Sequence, residues 1–302
     1  MIFSKITEIS YFLPKTYNLS GKKNFKEIYL KTGIAKTRIA EKNQDVIDLA
    51  FFSCKKIKKK IKNIDGIIFV TQTPKYLLPS CSCILQDRLK IKKNIFTIDI
   101  NMGCSGYIYG LSVANSLIQS NSLKKVLLIC ADTYSKYMDN KNKNRFLFSD
   151  AASATILQRS KNKRFNNFLF NSDGKKYDKI IIKENNKKLS FQMEGSSVYT
   201  FTLQEIPILL KKFLKISKKK ISDYRQVFFH QASSLVLKNL QRKIKNEKKI
   251  YIDLKNIGNT TSSSIPISIK NALNKGIIKK NDEIILCGFG SGLTWSIVSV
   301  KI

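Results

Sequence analysis

The chain has 302 residues, of which 43% are hydrophobic and 10% aromatic, and it carries a formal net charge of +34. This length and hydrophobic content exclude a disordered chain and allow one large domain or two. No stretch approaches the ~20 consecutive apolar residues of a membrane helix, and residues 1–14 lack the apolar core of a signal peptide. The sequence therefore predicts a globular, cytoplasmic protein without a membrane partner.

The charge has a compositional origin. The 55 lysines and arginines against 21 acidic residues would favour nucleic acid, an anionic membrane or an acidic protein. Lysine, asparagine and isoleucine are enriched together, however, even on an ordinary helix face such as Lys55–Lys62. A general bias of the composition toward these residues explains most of the excess positive charge. We therefore expect no nucleic-acid partner.

Six cysteines are scattered along the chain. Cys81 and Cys83 form the only close pair, and their spacing does not fit a zinc site. We therefore expect reduced thiols, mostly buried, and no metal centre.

Apolar segments rich in β-forming residues alternate with helical periodicity. The predicted strands in the first half are Gly66–Val70, Ile95–Asp99 and Lys125–Cys130. This alternation predicts an α/β protein with a buried sheet.

The second half of the sequence repeats the first. The matching segments are Phe69–Gln72 with Phe228–Gln231, Ile98–Cys104 with Ile252–Asn259, and Val126–Ala131 with Glu283–Gly288. Two copies of one α/β unit are predicted, residues 1–162 and 163–302. The polar segment Lys161–Asn167 provides the surface connection between them.

Cys104 lies in Asn101–Gly106, which follows a predicted strand and opens an apolar helix. The unpaired amides and the dipole at a helix N-terminus favour a thiolate, which is the nucleophilic form of cysteine. A cysteine chosen at random is more often a small core residue. The turn flanked by glycines favours the nucleophile here.

Two further polar residues occupy matching places in the second half. His230, the only histidine, ends a predicted strand, where α/β folds place reacting groups. Asn259 follows Gly258 at the place that Cys104 occupies in the first unit. An isolated histidine or a glycine-flanked asparagine would usually be structural. The pseudo-twofold repeat predicts that Cys104, His230 and Asn259 come together.

These residues resemble those of the ketoacyl-acyl carrier protein synthase III family, and the likeness extends from Ile6 to the C-terminus. The matching segments are Lys31–Ile34 with Arg38, Gly103–Gly106, Phe148–Ala151, His230–Ala232, Gly258–Thr260 and Gly288–Trp295. The resemblance implies a thiolase-like fold of two repeated α/β units in five layers, α-β-α-β-α.

The resemblance also implies a reaction. Cys104 would take an acyl group from a thioester, and His230 and Asn259 would hydrogen-bond the enolate formed when a malonyl thioester loses CO2. The acyl carbonyl would lie against the backbone amide of Cys104 and that of Ser291 or Gly292. No permanent cofactor is implied; the substrates would be acyl-CoA or acyl-acyl carrier protein, and malonyl-acyl carrier protein.

Two partners are implied as well. Members of the family pair as homodimers, and Leu78 matches a position that reaches the partner's acyl pocket. Acyl carrier protein is acidic, and Lys238, Arg242 and Lys245 follow His230 at spacings that predict one basic helix face near the tunnel mouth. Glu27 stands where the family usually has a tryptophan that stacks on coenzyme A, which makes a carrier-protein donor plausible.

Three alternatives stay open. The acyl group on Cys104 could pass to a hydroxyl or amine of a small molecule, although an intact His230 and Asn259 favour condensation. A thiolase-type reaction would need a second reactive cysteine, for which Cys287 is the candidate, but burial in a strand fits it better. A basic binding protein would explain the charge and leave the repeated strand ends without a purpose.

Overall fold

The computed structural model describes residues 1–22, 24–139, 141–185 and 188–302. Within these ranges the chain forms seven α-helices and thirteen β-strands. The helices are α1 (Phe25–Thr32), α2 (Val46–Lys55), α3 (Cys81–Arg88), α4 (Gly106–Gln119), α5 (Gly195–Ser217), α6 (Ser234–Ile244) and α7 (Ser264–Asn274). The strands are β1 (Phe3–Phe12), β2 (Lys15–Asn18), β3 (Lys36–Ile39), β4 (Gly66–Val70), β5 (Phe96–Ile100), β6 (Lys125–Asp132), β7 (Ala151–Ser160), β8 (Phe165–Ser172), β9 (Ile180–Asn185), β10 (Lys188–Met193), β11 (Gln226–Phe229), β12 (Glu283–Gly290) and β13 (Thr294–Lys301).

Two sheets form the frame of the molecule. The larger has the order β1-β7-β6-β4-β5, and the other has the order β11-β12-β13-β8. β4 runs parallel to β5 and β6, and β11 runs parallel to β12. Every residue of β4 is buried, because a parallel strand covered on both faces carries a continuous apolar run. The predicted α/β class is confirmed.

The sheets and helices stack in five layers. α4 and α7 lie between the two sheets, where Ile108 and Ile265 share one apolar cluster with Ile68 of β4 and Leu286 of β12. α2 and α3 pack on the outer face of the larger sheet, and α5 and α6 pack on the outer face of the smaller one. This is the α-β-α-β-α order that the resemblance implied.

The repeat is less regular than the sequence predicts. The segment Ile252–Asp253, matched by sequence to β5, forms no strand, and the single isolated bridge to β11 in this region is made by Ile250 with Val227. The side chain of Gln231 explains the difference. Its Nε2 donates to the carbonyl of Tyr251 (3.2 Å) and its Oε1 accepts from the amide of Asp253 (2.8 Å), so a side-chain amide replaces a strand partner.

The chain crosses from one sheet to the other between β7 and β8. β7 ends at Ser160 in the larger sheet, and β8 begins at Phe165 in the smaller sheet. The predicted boundary between residues 162 and 163 lies in this crossing; the separation into two units stays a prediction.

No helix of the described ranges has the length and apolarity to span a membrane. All six cysteines are free, and only Cys83 is exposed.

Gly258 is required by the backbone that positions Asn259. Its φ is +78°, and an added Cβ would lie 2.3 Å from Oγ of Ser149. Ser149 is itself fixed, because its amide donates to the carbonyl of Asn259 (2.8 Å) and its hydroxyl accepts from the amide of Arg38 (2.9 Å). Glycine is therefore the residue that fits this left-handed turn.

Candidate active site

Cys104 lies between the end of β5 and the start of α4, and its side chain is 9% exposed. Two glycines of β12 let the backbone of that strand approach it. A Cβ added to Gly290 would lie 3.1 Å from the Cys104 sulfur, and one added to Gly288 would lie 2.9 Å from the Cys104 carbonyl oxygen. α4 begins at Gly106, so the sulfur sits at the predicted helix N-terminus.

The resting form of this thiol differs from the expectation. Burial raises the pKa of Cys104 well above its ordinary value, and the charge of Asp132 raises it further; the backbone amide of Cys104 lowers it by less. The expectation of a stabilised thiolate is therefore wrong for the resting state, because loss of water around the sulfur outweighs the helix terminus. The proton must leave as the sulfur attacks its substrate.

His230 lies at the end of β11 and is 2% exposed. Its amide donates to the carbonyl of Cys287 (2.9 Å), and its Nδ1 lies 2.8 Å from Oγ of Ser264, the first residue of α7. The Ser264 oxygen also accepts from the amide of Gln231 (3.4 Å), so its own proton is directed to Nδ1. These partners assign the ring proton to Nε2.

The imidazole of His230 is neutral. Burial lowers its pKa to about 3, and a hydrogen bond with the Thr261 backbone opposes this shift without reversing it. Because the folded pKa lies below that of the unfolded chain, the unfolded chain binds this proton first as the pH falls through about 6.5. Acid therefore destabilises the fold at this residue, while Nε2–H remains a neutral donor near pH 7.

Asn259 is 3% exposed and is fixed on three sides. Its backbone amide donates to the carbonyl of Leu147 (2.9 Å), and its carbonyl accepts from the amide of Ser149 (2.8 Å). Its side-chain Oδ1 accepts from the amide of Thr261 (3.0 Å). Nδ2 has no acceptor among the described residues, so it is a second neutral donor.

Thr261 and Asp132 connect the three predicted site residues. Thr261 contacts Asn259 through its amide and His230 through its backbone, and its hydroxyl donates to Asp132 (2.6 Å). The charge of Asp132 in turn acts on the Cys104 thiol. Thr261 and Asp132 thus link Cys104, His230 and Asn259 indirectly; that the three form one catalytic site stays a prediction.

Asp132 is a fully buried carboxylate at the end of β6 that the sequence did not single out. It accepts from the amide of Gln72 (2.8 Å) in the loop after β4, and from the hydroxyls of Thr261 and Ser262 (2.7 Å) in the loop before α7. Burial raises the pKa of Asp132, and these donors lower it by less. A carboxylate ending an apolar strand was the signal that could have identified it.

The predicted oxyanion donors are backbone amides that stay free of other hydrogen bonds. The amides of Cys104, Ser291 and Gly292 donate to no other residue in the described ranges. The hydroxyl of Thr294 donates to the Ser291 carbonyl (2.9 Å) and lies 2.7 Å from the hydroxyl of Ser105, which ties this loop to the start of α4. Such fixed amides can stabilise a carbonyl oxygen that gains negative charge.

A surface cavity of about 450 Å³ lies between α1 and the segment that contains Lys143, Phe146 and Leu147. Its cationic rim contains Lys22, Lys31 and Lys143, and Phe146 and Leu147 contribute to its apolar floor. The Leu147 carbonyl accepts from the Asn259 amide, so one residue of the cavity wall contacts one predicted site residue.

The rim also contains a residue that departs from the family pattern. Glu27, which stands at the usual tryptophan position, forms an exposed ion pair with Lys31 (2.7 Å). An ion pair therefore stands where the family usually has an aromatic ring that stacks on coenzyme A.

The predicted docking residues are all exposed, but they do not share one helix face. Lys238 and Arg242 lie one turn apart on α6. The helix ends at Ile244, and Lys245 adopts a left-handed conformation with φ of +55°. The prediction for Lys245 is wrong because the chain leaves the helix there. Leu78 is 83% exposed and does not contact Cys104 within its own chain by any described interaction.

Comparison with known proteins identifies a consistent set of relatives. Residues 98–174 match the model of the family 3-Oxoacyl-[acyl-carrier-protein (ACP)] synthase III, and residues 214–302 match its C-terminal model. The beta-ketoacyl-[acyl-carrier-protein] synthase III of Fusobacterium nucleatum is 35% identical and that of Clostridium tetani is 33% identical; each alignment covers 91% of this chain and 89% of the relative. The crystal structure of a 3-oxoacyl-(acyl-carrier protein) synthase from Burkholderia xenovorans superimposes with a TM-score of 0.93 at 26% identity, covering 100% of this chain and 95% of that one.

The raised pKa of Cys104 predicts how its reactivity depends on pH. Because the thiolate is the reacting form, alkylation by iodoacetamide should accelerate roughly tenfold per pH unit from about pH 6.5 to 8.5 without a plateau. The rate is measured by mass spectrometry of the peptide that contains Cys104, with Cys104→Ala giving the background from other thiols. A plateau below pH 8 would show a stabilised thiolate and contradict the structure.

Proposed function

Because the chain belongs to the 3-oxoacyl-[acyl-carrier-protein] synthase III family of condensing enzymes, we propose that it loads an acyl group onto Cys104 and condenses it with malonyl-acyl carrier protein. One observation carries this proposal. A buried thiol shares its site with two neutral donors, Nε2–H of His230 and Nδ2–H of Asn259. This combination suits a reaction that passes through an acyl-cysteine and an enolate.

In the first step the Cys104 sulfur attacks the carbonyl carbon of an acyl thioester. The new sulfur–carbon bond replaces the bond to the donor's sulfur, and the thiol proton ends on the departing thiol. The free amides of Cys104 and Ser291 are the proposed donors to the carbonyl oxygen during attack. No permanent cofactor takes part.

In the second step the malonyl thioester loses CO2, and the electrons of the broken carbon–carbon bond form an enolate. Its oxygen accepts hydrogen bonds from His230 and Asn259, which are fixed donors in a site that excludes water. The enolate carbon then attacks the acyl carbonyl and expels the Cys104 thiolate, which regains a proton. The product is a 3-oxoacyl thioester, as in fatty-acid synthesis.

The same geometry weakens the alternatives. Transfer to a hydroxyl or amine needs a base, and a histidine with a pKa of about 3 is a poor one. A thiolase-type reaction needs a second thiol, but Cys287 lies inside β12, is fully buried and has a pKa raised by burial. Condensation by decarboxylation requires only neutral donors at His230.

Three substitutions separate the two steps. Cys104→Ala should abolish acyl-enzyme formation from acetyl-CoA. His230→Ala and Asn259→Ala should each form acyl-Cys104 and lose CO2 release from malonyl-acyl carrier protein by about 10²–10³-fold, the cost of one removed oxyanion donor. Intact-protein mass spectrometry measures acylation, and labelled CO2 measures decarboxylation.

The outcomes discriminate between the steps. Acylation that survives in Cys104→Ala would refute the nucleophile, and unchanged CO2 release in both other variants would refute the enolate donors.

Acyl carrier protein is the proposed partner, since the relatives named above carry it in their names. Lys238 and Arg242 form an exposed basic pair on the helix that begins four residues after His230. Opposite charge across an interface raises the association rate, and salt weakens the effect. The pair is therefore the proposed docking surface for the acidic carrier.

The docking proposal predicts a substrate-dependent defect. Lys238→Glu with Arg242→Glu should lower the condensation rate at limiting malonyl-acyl carrier protein and leave the rate with malonyl-pantetheine nearly unchanged. Lys58→Glu with Lys59→Glu, an equal charge reversal in the first unit, is the control. Equal losses with both malonyl substrates would assign Lys238 and Arg242 to fold stability.

A homodimer through β5 is also proposed. β5 is an edge strand of the larger sheet, and its Phe96 and Ile98 are exposed. Leu77 and Leu78, in the loop before α3, are almost fully exposed beside it. An unpaired edge with exposed apolar side chains favours pairing with a second copy. In that arrangement Leu78 would reach the acyl site of the partner.

The dimer proposal is tested by a charge on the edge strand. Ile98→Lys should give a monomer by light scattering, because pairing would bury an unpaired ammonium group. Ile208→Lys, an equally apolar exposed position on α5, should stay dimeric. A monomeric wild-type chain with full condensation activity would overturn the proposal.

A further inference from the structure

A cavity of about 310 Å³ is lined by residues that neighbour the turn of Cys104, among them Gln72, Asn101 and Ser291. Ser291 and Gly292 contribute to its wall and directly follow Gly290, whose added Cβ would lie 3.1 Å from the Cys104 sulfur. Tyr134, on another wall, interacts electrostatically with Cys104. An acyl group on the sulfur would therefore project along this cavity.

The polar side of the cavity is organised around Gln72. Its Oε1 accepts from the hydroxyl of Tyr134 (2.8 Å) and from the hydroxyl of Ser291 (2.8 Å). The same oxygen lies 2.3 Å from the place of a Cβ on Gly103, the residue before Cys104. Two donors on one carbonyl oxygen fill its acceptor sites, so the amide group cannot rotate without losing both.

This orientation leaves a donor available to a ligand. Nε2 of Gln72 donates to no acceptor in the described ranges, and the atom is not fully buried. It is therefore in contact with solvent. An apolar chain placed against it would remove that solvent and leave the two N–H groups unpaired. An oxygen on the acyl group would pair with them.

Aromatic rings limit the length of the acyl group. The buried ring of Tyr134 stacks on Phe148 with centroids 5.4 Å apart and an interplanar angle of 11°. Phe191 packs edge-on against both rings, at 5.1 Å from Tyr134 and 5.0 Å from Phe148. Tyr134 and Phe191 line the cavity, so this packed cluster forms a fixed wall, and a cavity of about 310 Å³ suits a short acyl group.

We propose that Cys104 accepts a short acyl group that carries an oxygen near its third carbon, and that Nε2 of Gln72 donates a hydrogen bond to this oxygen. Gln72 is thus a specificity-determining residue, and the substrate class is a short 3-hydroxyacyl or 3-oxoacyl thioester. The inference rests on the proposed function, because it requires acyl-Cys104. Acyl transfer itself is unchanged: the sulfur–carbon bond of the donor breaks and that of Cys104 forms.

The test compares acylation of Cys104 by acetyl-CoA, butyryl-CoA and the two enantiomers of 3-hydroxybutyryl-CoA, followed by intact-protein mass spectrometry. The wild-type chain should react about tenfold faster with one 3-hydroxybutyryl enantiomer than with butyryl-CoA, the ratio expected from one hydrogen bond. In Gln72→Glu the oxygen that holds Tyr134 and Ser291 is kept and the donor is lost. In this variant the ratio of the acylation rate with 3-hydroxybutyryl-CoA to that with butyryl-CoA should fall to about one. A ratio is used because a change in the general reactivity of Cys104 affects both rates equally.

Each outcome is informative. Equal or faster acylation by butyryl-CoA in the wild-type chain would overturn the inference, and this comparison needs no variant to fold. A preference that persists in Gln72→Glu would also overturn it. Acylation by acetyl-CoA with normal condensation would then leave the proposed function intact, whereas failure of every thioester to modify Cys104 would overturn both.

Discussion

The buried carboxylate of Asp132 is the interaction on which the site depends. It holds the loop after β4 through the amide of Gln72 and the loop before α7 through the hydroxyls of Thr261 and Ser262. A buried charge is costly unless its hydrogen bonds are satisfied, so both loops are held in the one arrangement that satisfies it. Asp132 thereby links Gln72 to Thr261, whose amide donates to the side chain of Asn259.

The predicted repeat pairs positions that carry different chemistry. By sequence, Cys104 of the first half matches Asn259 of the second. The matching glutamines diverge in the same way. Gln231 uses its side-chain amide on the backbone of residues 229, 251 and 253, whereas Gln72 uses only its oxygen on side-chain hydroxyls. Residues that the predicted repeat matches therefore make different contacts in the two halves.

Local pattern selected Cys104, His230 and Asn259 as site candidates, because Cys104 and His230 follow strands and Cys104 and Asn259 lie beside a glycine. It was insufficient where a distant side chain decides the outcome. Gln231 replaces the expected strand at Ile252–Asp253, and burial by the second half keeps Cys104 protonated. Asp132 ends an apolar strand, which marks its position, but its partner Thr261 and the contact of Ser264 with His230 lie far apart in the chain, so local spacing does not reveal these roles.

The central claim is that acyl transfer to Cys104 is coupled to formation of a carbon–carbon bond. The most direct measurement incubates the wild-type chain with an acyl thioester and malonyl-acyl carrier protein, and counts CO2 against product by mass spectrometry. One CO2 for each 3-oxoacyl-acyl carrier protein is the predicted result. Transfer of the acyl group to a hydroxyl or amine without release of CO2 would contradict it.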